Sequence, residues 1–178
     1  QDEETIPEKL ARTAPLDRKS VGSYFGLFFD TNYYRQQVGQ KRLALLNYKY
    51  VGWKRGADPH PLFDTEYYLQ QIGMPLTDLK MSPLTHYLRY GSRLNLSTHR
   101  EFDAAWYKRQ NPDVAASVFS MMAHFLAFGW QEGRDPNPNF DCIWYLEQHP
   151  DVAAVGMNPL VHFVLHGRAE GRKSTVSA

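Results

Sequence analysis

Residues 140–172 read FDCIWYLEQHPDVAAVGMNPLVHFVLHGRAEGR. Asp141 has the chemistry of a helix N-cap, because its carboxylate can accept the unpaired N–H groups of the first turn. Phe140 then stands at N′ and Tyr145 at N4, the two positions of a hydrophobic staple. His149-Pro150 stops this helix, since a residue before proline avoids the α region. Asn158-Pro159 opens a second helix with an N-cap and a proline at N1. That helix runs through Leu160–His166, and Gly167 stands where a left-handed C′ glycine is expected.

The pattern extends through most of the chain. Phe-Asp recurs at Phe29-Asp30, Phe63-Asp64, Phe102-Asp103 and Phe140-Asp141. An aromatic pair follows each: Tyr33-Tyr34, Tyr67-Tyr68, Trp106-Tyr107 and Trp144-Tyr145. The later glycines Gly52, Gly91, Gly129 and Gly167 are 39, 38 and 38 residues apart. His86-Tyr87, His124-Phe125 and His162-Phe163 precede the last three, and Asn47-Tyr48 takes that place in the first. Self-similarity at this period marks a repeat architecture. The units are 29–62, 63–101, 102–139 and 140–178. The first lacks a middle segment. The third and fourth are nearest each other: NPDVAA (111–116) matches HPDVAA (149–154), and FGWQEGR (128–134) matches HGRAEGR (166–172).

Ser82-Pro83 starts the second helix of unit two as Asn158-Pro159 does in unit four. Asp58-Pro59-His60-Pro61 and Asp135-Pro136-Asn137-Pro138 read as rigid connectors. No segment alternates as a strand does. Residues 1–22 show little periodicity and read as an N-terminal arm or linker, with one short helix around 8–13. Helices of about 8–10 residues are marginal alone and must bury their rings against neighbours. The expected fold is all-α: four tandem two-helix repeats of about 38 residues in a short solenoid-like array. The tetratricopeptide spacing is similar, but its Trp-x-x-Leu-Gly-x-x-Tyr pattern is missing.

Composition narrows the function. The chain has 178 residues and a net charge of +1, from 20 Lys+Arg against 19 Asp+Glu. A dedicated nucleic-acid or anionic-membrane binder shows a basic excess, so that balance argues against both. The single cysteine, Cys142, excludes an internal disulfide and multi-cysteine metal sites. Aromatic residues make up 14% of the chain while mean hydropathy is −0.53, so the apolar character is concentrated in rings. Disordered chains are poor in aromatics, which excludes that class. No apolar run reaches the roughly 18–20 residues of a transmembrane segment. The lack of an initiator Met and of an apolar signal region near Gln1 predicts a processed chain or a fragment.

The unit-four sequence resembles the tandem motif FDxxYYLxxNPDVAxAGxNPLxHYLxxGxxEGRxPxPxFD. That motif occurs in bacterial envelope-associated proteins, often beside glycosyltransferase or rhamnan-synthesis-like domains, and in some large secreted proteins. The resemblance covers residues 24–172. It is strong in units three and four, fair in unit two and degraded in unit one. Asn47 replaces His and Ala57 replaces the motif Arg in unit one, and unit two has Leu94-Asn95-Leu96 in place of Glu-Gly-Arg. The resemblance implies a repeat scaffold in the bacterial cytoplasm or cell envelope, with a loose polysaccharide context and no catalytic residues to carry over.

Each chemistry-bearing residue has two readings. His86, His124 and His162 could form a ladder of ligands. Stacked helices lie about 8–10 Å apart, however, and metal–nitrogen bonds need about 2 Å. The structural reading is a ring N–H bonded to a turn carbonyl. Arg134 and Arg172 suit either anion binding or bonds to helix-end carbonyls and a neighbouring Phe-Asp carboxylate. Asp30, Asp64, Asp103 and Asp141 are explained by capping rather than acid/base work. Asp113 and Asp151 read as turn or cap residues. Trp53 and Trp130, at equivalent turns, are expected to be partly exposed, while Trp106 and Trp144 stand at N3. Cys142 reads as a packed small residue, although a helix start can lower a thiol pKa.

Signatures of nucleotide, zinc-protease and serine-hydrolase sites are missing. The reading is a non-catalytic scaffold or protein-interaction module that needs no metal or cofactor. Its candidate surface is Trp53, Trp130, Arg134 and Arg172. A protein partner is expected, a glycan is the second candidate, and nucleic acid is not expected. The same residues also suit a carbohydrate-binding module that holds a glycan acceptor or product, or an accessory subunit packed on a larger assembly.

Overall fold

A computed structural model of the chain describes residues 4–39, 42–115 and 120–176. Residues 1–3 of the expected arm and Ala116 of the NPDVAA segment lie outside these. The described residues are helical, with no named strand among them. They divide into two units, Gln1–Arg100 and Glu101–Ala178.

The first unit holds α1 (Ile6–Arg12), α2 (Arg18–Phe25), α3 (Thr31–Val38), α4 (Ala44–Tyr50), α5 (Thr65–Ile72) and α6 (Pro83–Arg89). The second holds α7 (Ala104–Gln110), α8 (Pro112–Ala115), α9 (Met121–His124), α10 (Cys142–Gln148), α11 (Pro150–Ala154) and α12 (Pro159–His162).

Each Phe-Asp starts a helix by the same bonds. Asp30 Oδ1 accepts the N–H groups of Asn32 and Tyr33, both at 2.9 Å. Asp64, Asp103 and Asp141 accept those of Tyr67, Trp106 and Trp144, each at 2.8 Å. The staple rings meet four times. Phe29–Tyr34, Phe63–Tyr68, Phe102–Tyr107 and Phe140–Tyr145 centroids are 5.4, 5.7, 5.3 and 5.2 Å apart.

A third ring completes each core. Tyr48, Tyr87, Phe125 and Phe163 stand edge-on to Tyr34, Tyr68, Tyr107 and Tyr145, with interplanar angles of 89°, 87°, 82° and 86°. That arrangement sets the positive edge of one ring against the negative face of the other. The core of short helices is thus a set of three-ring clusters.

Backbone bonds close each repeat on itself. The N–H of the capping Asp donates to the connector that ends the same repeat: Asp30 to Pro59, Asp64 to Thr98, Asp103 to Pro136 and Asp141 to Ser174. The connectors also reach forward. Asp58 Oδ1 accepts the Thr65 N–H and Asp135 Oδ1 the Cys142 N–H, each at 2.8 Å.

Three details differ from the expected pattern. First, much of the N-terminal segment is packed rather than an arm. It forms two helices, α2 lies against α6, and Leu16 N–H donates to the Arg89 carbonyl at 2.9 Å. Val21 and Phe25, one helical turn apart, are buried. Second, Pro112 and Pro150 end one helix and begin another, so repeats three and four hold three helices. Proline cannot continue the preceding helix but suits N1 of the next.

Third, Gly52, Gly91, Gly129 and Gly167 are not the left-handed residues. Gly56, Asn95, Gly133 and Gly171 are, four positions later, with φ of 77°, 51°, 71° and 70°. The chain first makes another turn, tight at Gly52–Arg55 and Gly91–Leu94. At Phe125–Gly129 and Phe163–Gly167 the turn is of the wide π type instead. Leu94-Asn95-Leu96 is therefore the geometric counterpart of Glu-Gly-Arg.

Candidate functional site

The second aromatic of each pair is fully or almost fully buried, and its hydroxyl crosses to the second helix. Tyr68 Oη lies 2.8 Å from His86 Nδ1, Tyr107 Oη 2.9 Å from His124 Nδ1 and Tyr145 Oη 2.9 Å from His162 Nδ1. In repeat one Tyr34 Oη donates to Asn47 Oδ1 at 2.5 Å. The histidine partner is therefore a tyrosine hydroxyl, not the turn carbonyl expected from sequence.

The helix-end glycine makes room for that hydroxyl. A β-carbon at Gly91 would lie 2.6 Å from Tyr68 Oη, and closer still to the equivalent hydroxyls at Gly52, Gly129 and Gly167. Tyrosine, histidine or asparagine, and glycine form one interlocking set. The sequence carried its signal, because Asn47 and the three histidines each precede their glycine by five residues. The fit of that glycine to a helix-end pattern hid it.

Burial lowers the pKa of His86, His124 and His162 below 6.5 and raises the tyrosine pKa values, that of Tyr145 to about 12. Both partners are thus neutral near neutral pH. Among the described residues, no group of three or more His, Cys, Asp or Glu side chains is placed to hold a metal ion.

The two motif arginines are tied within their own repeats. Arg134 donates to both carboxylate oxygens of Asp113 at 2.9 and 2.7 Å, to Glu132 at 2.6 Å and to Asn111 Oδ1 at 2.8 Å. Arg172 forks onto Asp151 at 3.0 and 2.9 Å and reaches Glu170 at 2.6 Å. Hydrogen bonds from the guanidinium groups hold Asp113 and Asp151 at pKa values of about 2. Asp113 and Asp151 are therefore arginine clamps, and neither guanidinium meets a Phe-Asp carboxylate. An incoming anion would have to compete with two carboxylates for each arginine.

The two turn tryptophans differ. Trp53 is 8% exposed and its indole N–H donates to the Lys49 carbonyl at 3.0 Å, so it is a core residue. Trp130 is half-buried. It lines a groove of about 410 Å³ with Ile143, Leu146, Glu147 and Ala153. Trp106 and Trp144 are also half-buried. Cys142 is buried, and burial followed by Asp135 and Asp141 pushes its thiol pKa up, the opposite of activation.

Two further grooves lie in the first unit. One, of about 580 Å³, runs between Pro7 and Leu10 of α1 and Ile72, Leu79, Met81 and Tyr90. The other, of about 330 Å³, is lined by Lys49, Tyr50, Trp53, Lys54, Lys80 and Met81, among others. Both depend on packing between segments far apart in the chain.

The chain matches no protein-family model, no curated protein and no solved structure. No helix among the described residues is long and apolar enough to cross a membrane.

Proposed function

We propose that this chain is a non-catalytic helical-repeat scaffold that acts by binding a protein, with its four repeats stacked as a short solenoid-like array. The observation that supports it most is where the reactive side chains are used. The capping aspartates, the buried histidines and the motif arginines all bond within their own repeat. A catalytic constellation is a local exception to a repeat, whereas these bonds recur from repeat to repeat. The likeness to the tandem motif of bacterial envelope proteins adds a polysaccharide-linked setting, in which the chain serves as an accessory subunit.

Affinity isolation from the native source with quantitative mass spectrometry tests this. The expected result is one partner in fixed ratio to the chain. Recovery of the chain as a lone monomer would contradict it.

One observation favours a second reading, glycan binding. Trp130 presents part of its ring to a groove that also holds Glu132 and Glu147. A ring face flanked by carboxylates suits a sugar with its hydroxyl groups. Trp130→Ala would then remove a glycan-dependent fluorescence change without lowering the melting temperature.

A further inference from the structure

We infer that the outer face of α4 is a docking site for a short acidic amphipathic helix of a protein partner. This deepens the interaction-module reading and rests on it.

The four repeats align on Asn47, His86, His124 and His162. That register pairs Leu45-Leu46 with Leu84-Thr85, Met122-Ala123 and Leu160-Val161. Leu84, Met122, Ala123, Leu160 and Val161 are buried. Leu45 and Leu46 are 39% and 47% exposed. In repeats three and four the short helices α8 and α11 pack against α9 and α12, burying Val114 and Val152. Repeat one has no such helix. Its two helices are joined by residues 39–43 alone, where repeats three and four use 111–120 and 149–158. Repeat one thus lacks the counterpart of α8 and α11, and it is there that Leu45 and Leu46 are exposed.

Leu43 adds to this face. Its counterparts Ser82, Ser120 and Asn158 each cap the second helix with a side-chain oxygen. Leu43 makes no cap bond, has a φ of 51° and is 69% exposed. A leucine in the left-handed region is a rare and strained choice. A residue that breaks the local rule with no local gain points to function. Leu43, Leu46 and Tyr50 fall at i, i+3 and i+7, one stripe of the helix.

Charge selects the occupant. Arg42 and Lys49 flank the stripe, and both are exposed. Lys49 and Tyr50 continue into the groove lined by Lys54 and Lys80, which has no carboxylate among its lining residues. Two copies joined face to face on α4 would oppose cation to cation, which disfavours self-association. In repeats three and four the corresponding short helix buries one valine, Val114 or Val152. Its aspartate, Asp113 or Asp151, pairs with an arginine whose place in repeat one is taken by Ala57, so in repeat one an acidic partner would meet the lysines instead. An acidic helix with a branched apolar side chain meets both the leucines and the lysines.

The test uses the full chain labelled with ¹⁵N and a helix-stapled peptide of residues 147–157 of this sequence. The expected result is saturable shifts confined to amides of residues 42–54 and 80–82, weakened by salt. Leu46→Asp, a change at an exposed position, should weaken binding at least about tenfold, the effect of losing one leucine from an apolar contact. Lys49→Glu should weaken it too. No shifts at millimolar peptide, or shifts that persist unchanged in Leu46→Asp, would overturn the proposal. Equally decisive against it would be a dimer dissolved by Leu46→Asp, or sedimentation with phosphatidylserine vesicles that depends on Leu46. A native partner retained equally by the wild-type and Leu46→Asp chains would remove this site and leave the module reading standing.

Discussion

The hydroxyl of Tyr145 lies so close to the Cα of Gly167 that the glycine cannot carry a side chain without displacing it. Gly167→Ala therefore tests the interlock. Alanine normally improves a helix-like backbone by about 0.5–1 kcal/mol over glycine. Here overpacking is expected to win, with a net loss of about 1–2 kcal/mol. Tyr145→Phe alone should cost about 1–2 kcal/mol, because His162 loses its partner. Combining the two should cost less than their sum, since the phenyl ring leaves room for the methyl group. Urea denaturation of the four chains measures the coupling.

The same tyrosine–histidine pairs set a pH dependence. Burial holds His86, His124 and His162 below their unfolded value of 6.5. Above that value both states are neutral and stability is complete. As pH falls through it the unfolded chain takes up protons first, so stability is lost down to the folded pKa values. Denaturation midpoints should fall between about pH 7.5 and about pH 5.5. Replacing all three histidines with asparagine should flatten that fall and keep the fold, because Asn47 already bonds the Tyr34 hydroxyl. His60, whose pKa burial lowers to about 4, contributes to the slope that is left.

Arg172→Lys should not be conservative. The guanidinium fork meets both oxygens of Asp151 while its Nε reaches Glu170. An ammonium group cannot match that geometry. The pair is solvent-exposed, so the expected loss is small, and smaller still in high salt. Thermal melts at two ionic strengths give the answer.

Cys142 should resist thiol reagents in the folded chain. Its side chain is buried and its pKa is pushed up, so little thiolate forms. Ellman's reagent should modify it at the rate of global unfolding. Fast modification of the folded chain would contradict the packing around α10.

Sequence carried the local part of the fold well. Asp30 and its three counterparts announce helix starts because capping and stapling act within five residues. Long-range partners were less legible. The helix-end glycines suit a left-handed cap, and only the fold reveals the tyrosine hydroxyls beside them. Trp53 and Trp130 occupy equivalent turns, yet one is buried and the other only half-buried. The α4 face was legible only as a missing segment. That Leu45 and Leu46 lie exposed beside this gap is visible only in the fold.

On the proposed reading the chain works by holding a protein, and does so at repeat one. A photo-crosslinking amino acid at position 46, with a control at exposed Val155, tests it in the native source. One dominant crosslinked protein is predicted from position 46, joined through an acidic helix, and none in common from position 155. Crosslinks from position 46 only to the chain itself, or to no protein at all, would contradict the claim.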